Sequence, residues 1–249
     1  MSTLKTIEPF GEGFISALCP ELILFAGLIL LIIVPNLGTG KFRIPGTQTR
    51  VYWLFGGNRF KLTSDPRLPS WIAVITLGTA FLMSILSFQD GVERTAIVSE
   101  GGTEILMVNA FSRVFELVFF GALTLAAFAS MNRMDVKGIG AKLSSEDLYN
   151  NRRQGDFYIL MITCAIGMSI VALAQDLFVL FIGLELASFS TYVLVSFFKE
   201  TKAGTEAGMK YFIVGSVASG VGLYGLSMLY LWAGSLQLDV LATTFASSG

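Results

Sequence analysis

The chain has 249 residues, 53% hydrophobic and 14% charged, with mean hydropathy +0.69 and a formal net charge of -1. A soluble domain is about 25% charged, so much of the usual solvating surface is missing, and the near-neutral charge argues against a nucleic-acid partner. With no histidine in the sequence, Ser-His nucleophiles, His metal sites and His proton relays are excluded together, and Cys19 and Cys164 make neither a disulfide framework nor a metal-ligand spacing.

These numbers imply an all-α integral membrane protein. Crossing a hydrocarbon core takes about 18 or more predominantly apolar residues, and the sequence predicts six such spans, at about 14–36, 70–88, 111–130, 157–174, 177–198 and 209–232. The first opens at Cys19-Pro20-Glu21, where proline in the first turn and an acid on the positive end of the helix make a starting signal. The stretch before it holds Lys5, Glu8 and Glu12, which does not suit a cleaved signal peptide, and no Arg- and Ser-rich transit peptide precedes it. That favours a bacterial, archaeal or organelle-encoded protein.

Residues 36–69 are long, basic and aromatic, with Val51-Tyr52-Trp53-Leu54-Phe55 before Gly56-Gly57. A solvated loop is expected, with an interfacial segment as the alternative. Loose alternation over 95–108 around Glu100-Gly101-Gly102 predicts a short outer β-hairpin between the second and third spans. On the third span, Arg113 and Glu116 are spaced to pair with each other near the outer interface. Arg152, Arg153 and Asp156 read as a solvated boundary before the fourth. Little more than Gln175-Asp176 joins the fourth and fifth spans, which makes them antiparallel neighbours. The tail after Trp232 is too short and polar to span.

Orientation follows from Lys and Arg, which are retained on the cytoplasmic side. Of the 17 positive residues, all but Lys5, Arg94 and Arg113 fall on alternate loops or, for Lys210, just inside the sixth span. Six spans predict this pattern, and both termini then lie on the outer, positive side.

An ionisable side chain deep in a span costs about 2.5–3.5 kcal/mol on insertion scales. Glu185, in Phe181-Ile182-Gly183-Leu184-Glu185-Leu186-Ala187-Ser188, is the clearest such residue, about 13 Å along the helix from Asp176. Ser188, Tyr192, Ser196 and Lys199 fall within about 60° of it on one helix face. The stripe runs only toward the inner side; Phe178 and Phe181 occupy the outer half. A carboxyl joined by hydroxyls to one surface and sealed by aromatics from the other suits an inward-facing proton half-channel. The blander reading is a protonated glutamic acid bonded to a neighbouring helix.

Lys210 is the second candidate, in Thr205-Glu206-Ala207-Gly208-Met209-Lys210-Tyr211. Thr205 is expected to cap this helix, with Glu206 on its positive end. Lys210 then lies one to two turns inside, either lining the channel or snorkelling to the interface. On a separate face, Gly215, Ala218, Gly222 and Gly225 make a small-residue surface for close helix packing.

The stretch 156–232 resembles the antiporter-like subunits of proton-pumping NADH:quinone oxidoreductase, respiratory complex I, in particular its subunit N (subunit 2 in mitochondria). The residues that carry the resemblance are Asp156-Phe157-Tyr158, Leu180-Phe181-Ile182-Gly183-Leu184-Glu185-Leu186 and Thr205-Glu206-Ala207-Gly208-Met209-Lys210-Tyr211, followed by Gly215-Ser216-Val217-Ala218-Ser219-Gly220. Cys19-Pro20-Glu21 and the segment 109–113 agree more weakly.

The resemblance implies proton translocation. Glu185 stands where the family carries its mid-membrane carboxylate, and Lys210 where it carries a lysine near the start of the next helix. Such subunits bind no NADH, flavin or iron–sulfur cluster themselves, although the whole complex uses NADH and quinone; the chain has neither a nucleotide-binding glycine loop after a strand nor a cysteine cluster. A positive charge on a partner helix would hold Glu185 ionised, and separating the pair would favour its protonation. Protons would then move along Ser188, Tyr192 and Ser196.

Family members carry further helices after the sixth, including one whose buried lysine pairs with the span-five glutamate. The expected partners are therefore other membrane subunits of complex I, a separate polypeptide bearing those later helices (or else the sequence is partial), and membrane lipids. The expected location is an energy-conserving membrane, of a prokaryotic cell or an organelle. The rivals are a subunit of a related cation/proton antiporter or of a membrane-bound hydrogenase or dehydrogenase, and a scaffold half-subunit that moves no protons.

Overall fold

The computed structural model describes residues 5–7, 13–36, 40–43, 50–53, 67–89, 95–98, 102–131, 145–197 and 201–248. The helices are α1 (Phe14–Ala17), α2 (Cys19–Asn36), α3 (Leu68–Gln89), α4 (Ala110–Ser130), α5 (Ser145–Leu173), α6 (Leu177–Val195), α7 (Lys202–Ala233) and α8 (Leu238–Ser248). The strands are β1 (Lys5–Ile7), β2 (Gly40–Arg43), β3 (Arg50–Trp53), β4 (Thr95–Val98) and β5 (Glu104–Val108).

Among the described residues, five helices are long and apolar enough to cross a membrane, at 68–88, 110–130, 153–173, 177–195 and 202–233. Six were expected. The first expected span falls on α2, whose apolar stretch among the described residues is Cys19–Ile33. It does not run back unbroken to Phe14, because Leu18 leaves helical geometry at φ -109°, ψ 26° and separates α1 from α2. Pro20 supplies the reason: it has no N–H to bond the carbonyl four residues back, and its ring crowds that carbonyl.

The core is built by α2, α3, α4 and α5, around Leu24, Leu31, Leu77, Phe120, Tyr158 and Ile162. Helix α6 packs along α5, as the three-residue connection requires, and α7 packs on α6 at the edge. At one end of the bundle sits a three-stranded sheet in the order β1-β4-β5, with β1 parallel and β5 antiparallel to β4. Gly102 takes φ 76° next to β5, a conformation that favours glycine. The expected turn residues Glu100 and Gly101 lie outside the described residues, as do Lys199 and residues 132–144.

Within the expected loop 36–69, β2 and β3 pair antiparallel; residues 37–39, 44–49 and 54–66 lie outside the described ones.

Of three helix ends, those of α6 and α7 differ from the sequence expectation. Helix α4 begins with a capping box in which Asn109 Oδ1 accepts from Ser112 N at 2.8 Å and Asn109 N donates to Ser112 Oγ at 2.9 Å. Helix α6 ends at Val195, with Ser196 as its C-cap. Helix α7 starts four residues earlier than a Thr205 cap would allow: Thr201 Oγ1 accepts from Gly204 N at 3.1 Å. Thr205 N already donates to Thr201 O at 3.0 Å, which puts Thr205 inside the ladder. After Gly234, at φ 72°, closes α7, the tail forms α8.

Candidate functional site

Helix α6 is anchored at its start by Asp176, whose Oδ1 accepts from Phe178 N at 2.7 Å and Val179 N at 3.3 Å. Gln175 N donates to Ile105 O at 3.0 Å, while Gln175 O accepts from Leu238 N at 3.1 Å. The α5–α6 turn is thus held between β5 and the start of α8. Farther along, α5 and α6 come close at a pair of glycines. A Cβ on Gly167 would stand 2.6 Å from Ala187 N and 2.8 Å from Gly183 O. Only glycine fits there, and the crossing seats Glu185 two residues beyond Gly183.

Glu185 is half-buried and turned toward α7. Ser219 Oγ donates to Glu185 Oε1 at 2.6 Å. Ser219 Oγ also lies 3.0 Å from Gly215 O, so its one proton is shared between these two acceptors. Ser219 is the residue that sequence reasoning missed. It stands four residues from Gly215, on the small-residue face that the sequence assigned to packing alone.

That face is a seam matching the polar stripe of α6 in antiparallel order. A Cβ on Gly208 would lie 2.3 Å from Ser196 Cβ, and one on Gly215 would lie 2.2 Å from the Tyr192 hydroxyl oxygen. One on Gly222 would lie 3.5 Å from Phe181. Ser196, Tyr192, Glu185 and Phe181 therefore face Gly208, Gly215, Ser219 and Gly222. Of the four small residues expected to pack together, Gly215 and Gly222 do so; Ala218 is exposed and a Cβ on Gly225 meets nothing within 4 Å. Ser188 is half-buried on the same side of α6.

The Tyr192 ring packs edge-on against Tyr211, with centroids 5.0 Å apart. Ser196 Oγ bonds back to the carbonyls of Tyr192 and Val193, at 3.2 and 3.1 Å. Both residues line an open cleft of 810 Å³ between the start of α5, the end of α6 and the start of α7. Asp156, Phe197 and Met209 line it as well. Arg153, read from sequence as solvated boundary, is half-buried; it donates to the Phe197 carbonyl, and its guanidinium lies over that ring at 5.0 Å from the centroid. It therefore ties the start of α5 to the end of α6 at the cleft.

Lys210 is not brought to Glu185. Its Nζ pairs with Glu206 Oε1 at 2.6 Å, and its side chain is 74% exposed. At 100° per residue it lies on nearly the opposite side of α7 from Gly208 and Ser219. That opposite face is apolar and uncovered: Val214, Val217, Val221, Tyr224 and Leu231 are all exposed.

A further charge cluster is buried in the four-helix core, where sequence reasoning expected a helix-start signal and an interfacial pair. Arg113 Nη1 lies 2.5 Å from Glu116 Oε2 and 3.6 Å from Glu21 Oε1. Arg113 Nη2 donates to the Ala17 carbonyl. The helix spacing was read correctly, but burial depends on the faces that α2, α3 and α5 present to α4.

Comparison with known proteins sets these features beside others. The family described as NADH:quinone oxidoreductase/Mrp antiporter, TM, matches residues 174–249. NADH-quinone oxidoreductase subunit N of Methylobacterium nodulans is 35% identical over 188 residues, 72% of this chain and 38% of that protein. F(420)H(2) dehydrogenase subunit N of Methanosarcina mazei is 30% identical over 229 residues, 90% of this chain and 38% of its own length. Both alignments thus cover well under half of the relative. Two solved structures share the fold: a chain of respiratory complex I from Thermus thermophilus, at TM-score 0.59 and 20% identity over 88% of this chain and 38% of that one, and a chain of the archaeal membrane-bound sulfane sulfur reductase, at TM-score 0.61 and 19% identity over 92% and 39%.

Proposed function

Because the chain belongs to the antiporter-like membrane subunits represented by subunit N of NADH-quinone oxidoreductase, we propose that it is the amino-terminal part of a proton-translocating subunit, coupling quinone reduction elsewhere in the complex to proton transfer. The observation that carries this reading is the Ser219–Glu185 hydrogen bond of 2.6 Å. It sits in a seam that continues through Tyr192 and Ser196 to an open cleft.

Glu185 is the proton-binding group. Ser219 orients its carboxyl group through that hydrogen bond. Tyr192 and Ser196 offer hydroxyls between that carboxylate and the cleft, which opens on the inner side if the positive loops face the cytoplasm. In this reading NADH and quinone react on other subunits of the complex. Later helices, on a continuation of this polypeptide or on a second one, would complete the path with the positive charge that pairs with Glu185. The uncovered apolar face of α7 is a surface such helices would cover.

In the assembled complex, Glu185→Gln is expected to lower proton pumping and the oxidoreduction coupled to it while leaving assembly intact. Full pumping in an assembled Glu185→Gln complex would refute the role of this carboxyl. The alignment with the F(420)H(2) dehydrogenase subunit over 90% of this chain supports a second reading, the same membrane module with another electron donor. Mass spectrometry of the soluble subunits retained in mild detergent decides between them: an NADH-oxidising module supports the first reading, any other electron-input module the second.

A further inference from the structure

The Glu21–Arg113–Glu116 cluster has a charge count that its burial does not tolerate. The side chains of Arg113 and Glu116 are 2% and 0% exposed, and that of Glu21 is 11% exposed. Two carboxylates against one guanidinium leave a net negative charge in a helix core, and an uncompensated buried charge is strongly destabilising. The hydroxyls do not remove it. Ser169 Oγ on α5 donates to Glu21 Oε1 at 2.9 Å, and Ser84 Oγ on α3 lies 3.4 Å from Glu116 Oε2. Helix α1 contributes only the Ala17 carbonyl, which consumes one of the guanidinium's donors.

After those bonds, Glu21 Oε2, Glu116 Oε1 and Arg113 Nε have no hydrogen-bond partner among the described residues. Ionised carboxylate oxygens only accept hydrogen bonds, whereas a protonated carboxyl also donates one. Adding a single proton therefore cancels the net charge and supplies a donor among acceptors. A second proton would leave Arg113 as the uncompensated charge. The count fits one proton and no more.

We propose that Glu21, Arg113 and Glu116 form a second proton-binding site, taking up one exchangeable proton from water at the β-sheet end of the bundle. Binding forms one O–H bond on either carboxylate, and the cluster passes from net charge minus one to zero; release returns the proton to water. The site is separate from the open cleft: Ser169 and Arg153 stand at opposite ends of α5, about 24 Å apart along the helix axis. It is also separate from Glu185, which sits across α5, where Gly183 contacts Ile170, the neighbour of Ser169. It stands whether or not Glu185 carries protons.

Infrared difference spectroscopy of the full chain in lipid nanodiscs, on exchange into deuterated water, tests the site. The Glu185→Gln background removes that carboxyl from the signal. The expected result is a carbonyl-stretch band of a buried protonated carboxyl that shifts with deuterium. The band is lost in Glu116→Gln and in Glu21→Gln, because either change leaves one carboxylate balanced by Arg113. Glu116→Asp, which keeps the charge but shortens the side chain, shifts the band and serves if a glutamine variant does not fold, as judged by circular dichroism. Absence of the band in the folded chain, or its survival unchanged in every variant that folds, overturns the proposal.

Discussion

Replacing Gly167 by alanine separates the tight α5–α6 crossing from ordinary helix packing. The added Cβ would lie 2.6 Å from Ala187 N, 2.8 Å from Gly183 O and 3.0 Å from Ala187 Cα, all backbone atoms of a neighbouring helix. None of these can rotate aside, so α6 must move by roughly 1 Å, and overpacking of this kind costs about 2–3 kcal/mol. Alanine's better helix propensity returns about 1 kcal/mol, for a net loss of about 1–2 kcal/mol. Gly225→Ala makes the same chemical change where nothing lies within 4 Å, so it is expected to stabilise by about 0.5–1 kcal/mol. Unfolding of the chain in mixed micelles by titrated sodium dodecyl sulfate, followed by circular dichroism, reads both. Two variants shifted equally, or Gly167→Ala at least as stable as the parent, would refute the close crossing and with it the placement of Glu185.

Two further outcomes follow from the hydrogen bonds and ion pairs. Arg113→Gln leaves two buried carboxyl groups without their cation, so it is expected to cost about 3–5 kcal/mol in the same assay, and adding Glu116→Gln should recover part of that. Thr201→Ala removes the cap of α7 and is expected to cost about 1 kcal/mol, whereas Thr205→Ala costs clearly less; the opposite order would restore Thr205 as the cap.

What the amino-acid order determined by itself was whatever depends on neighbours along the chain. Hydropathy summed over a run of residues marked the membrane helices, because burying apolar side chains in lipid is nearly additive along a segment. The same local logic singled out Glu185, since one carboxyl in an apolar run is conspicuous without any structure. It also made α5 and α6 antiparallel neighbours, because so short a connection permits nothing else. Pro20 was read as a helix start, yet its disruption of the preceding turn, which separates α1 from α2, showed only in the backbone.

Tertiary structure decided whatever depends on which faces meet. Lys210 and Ser219 lie on one helix, nine residues apart; the packing of α6 on α7 turned the serine to Glu185 and left the lysine outside with Glu206. Glu21, Arg113 and Ser169 are far apart in sequence, and each looks innocuous where it stands. They form a buried charged cluster because α2, α4 and α5 converge at one end of the bundle. A pattern confined to one helix carries no record of that convergence, since the energy of a buried charge is set by the groups around it in space.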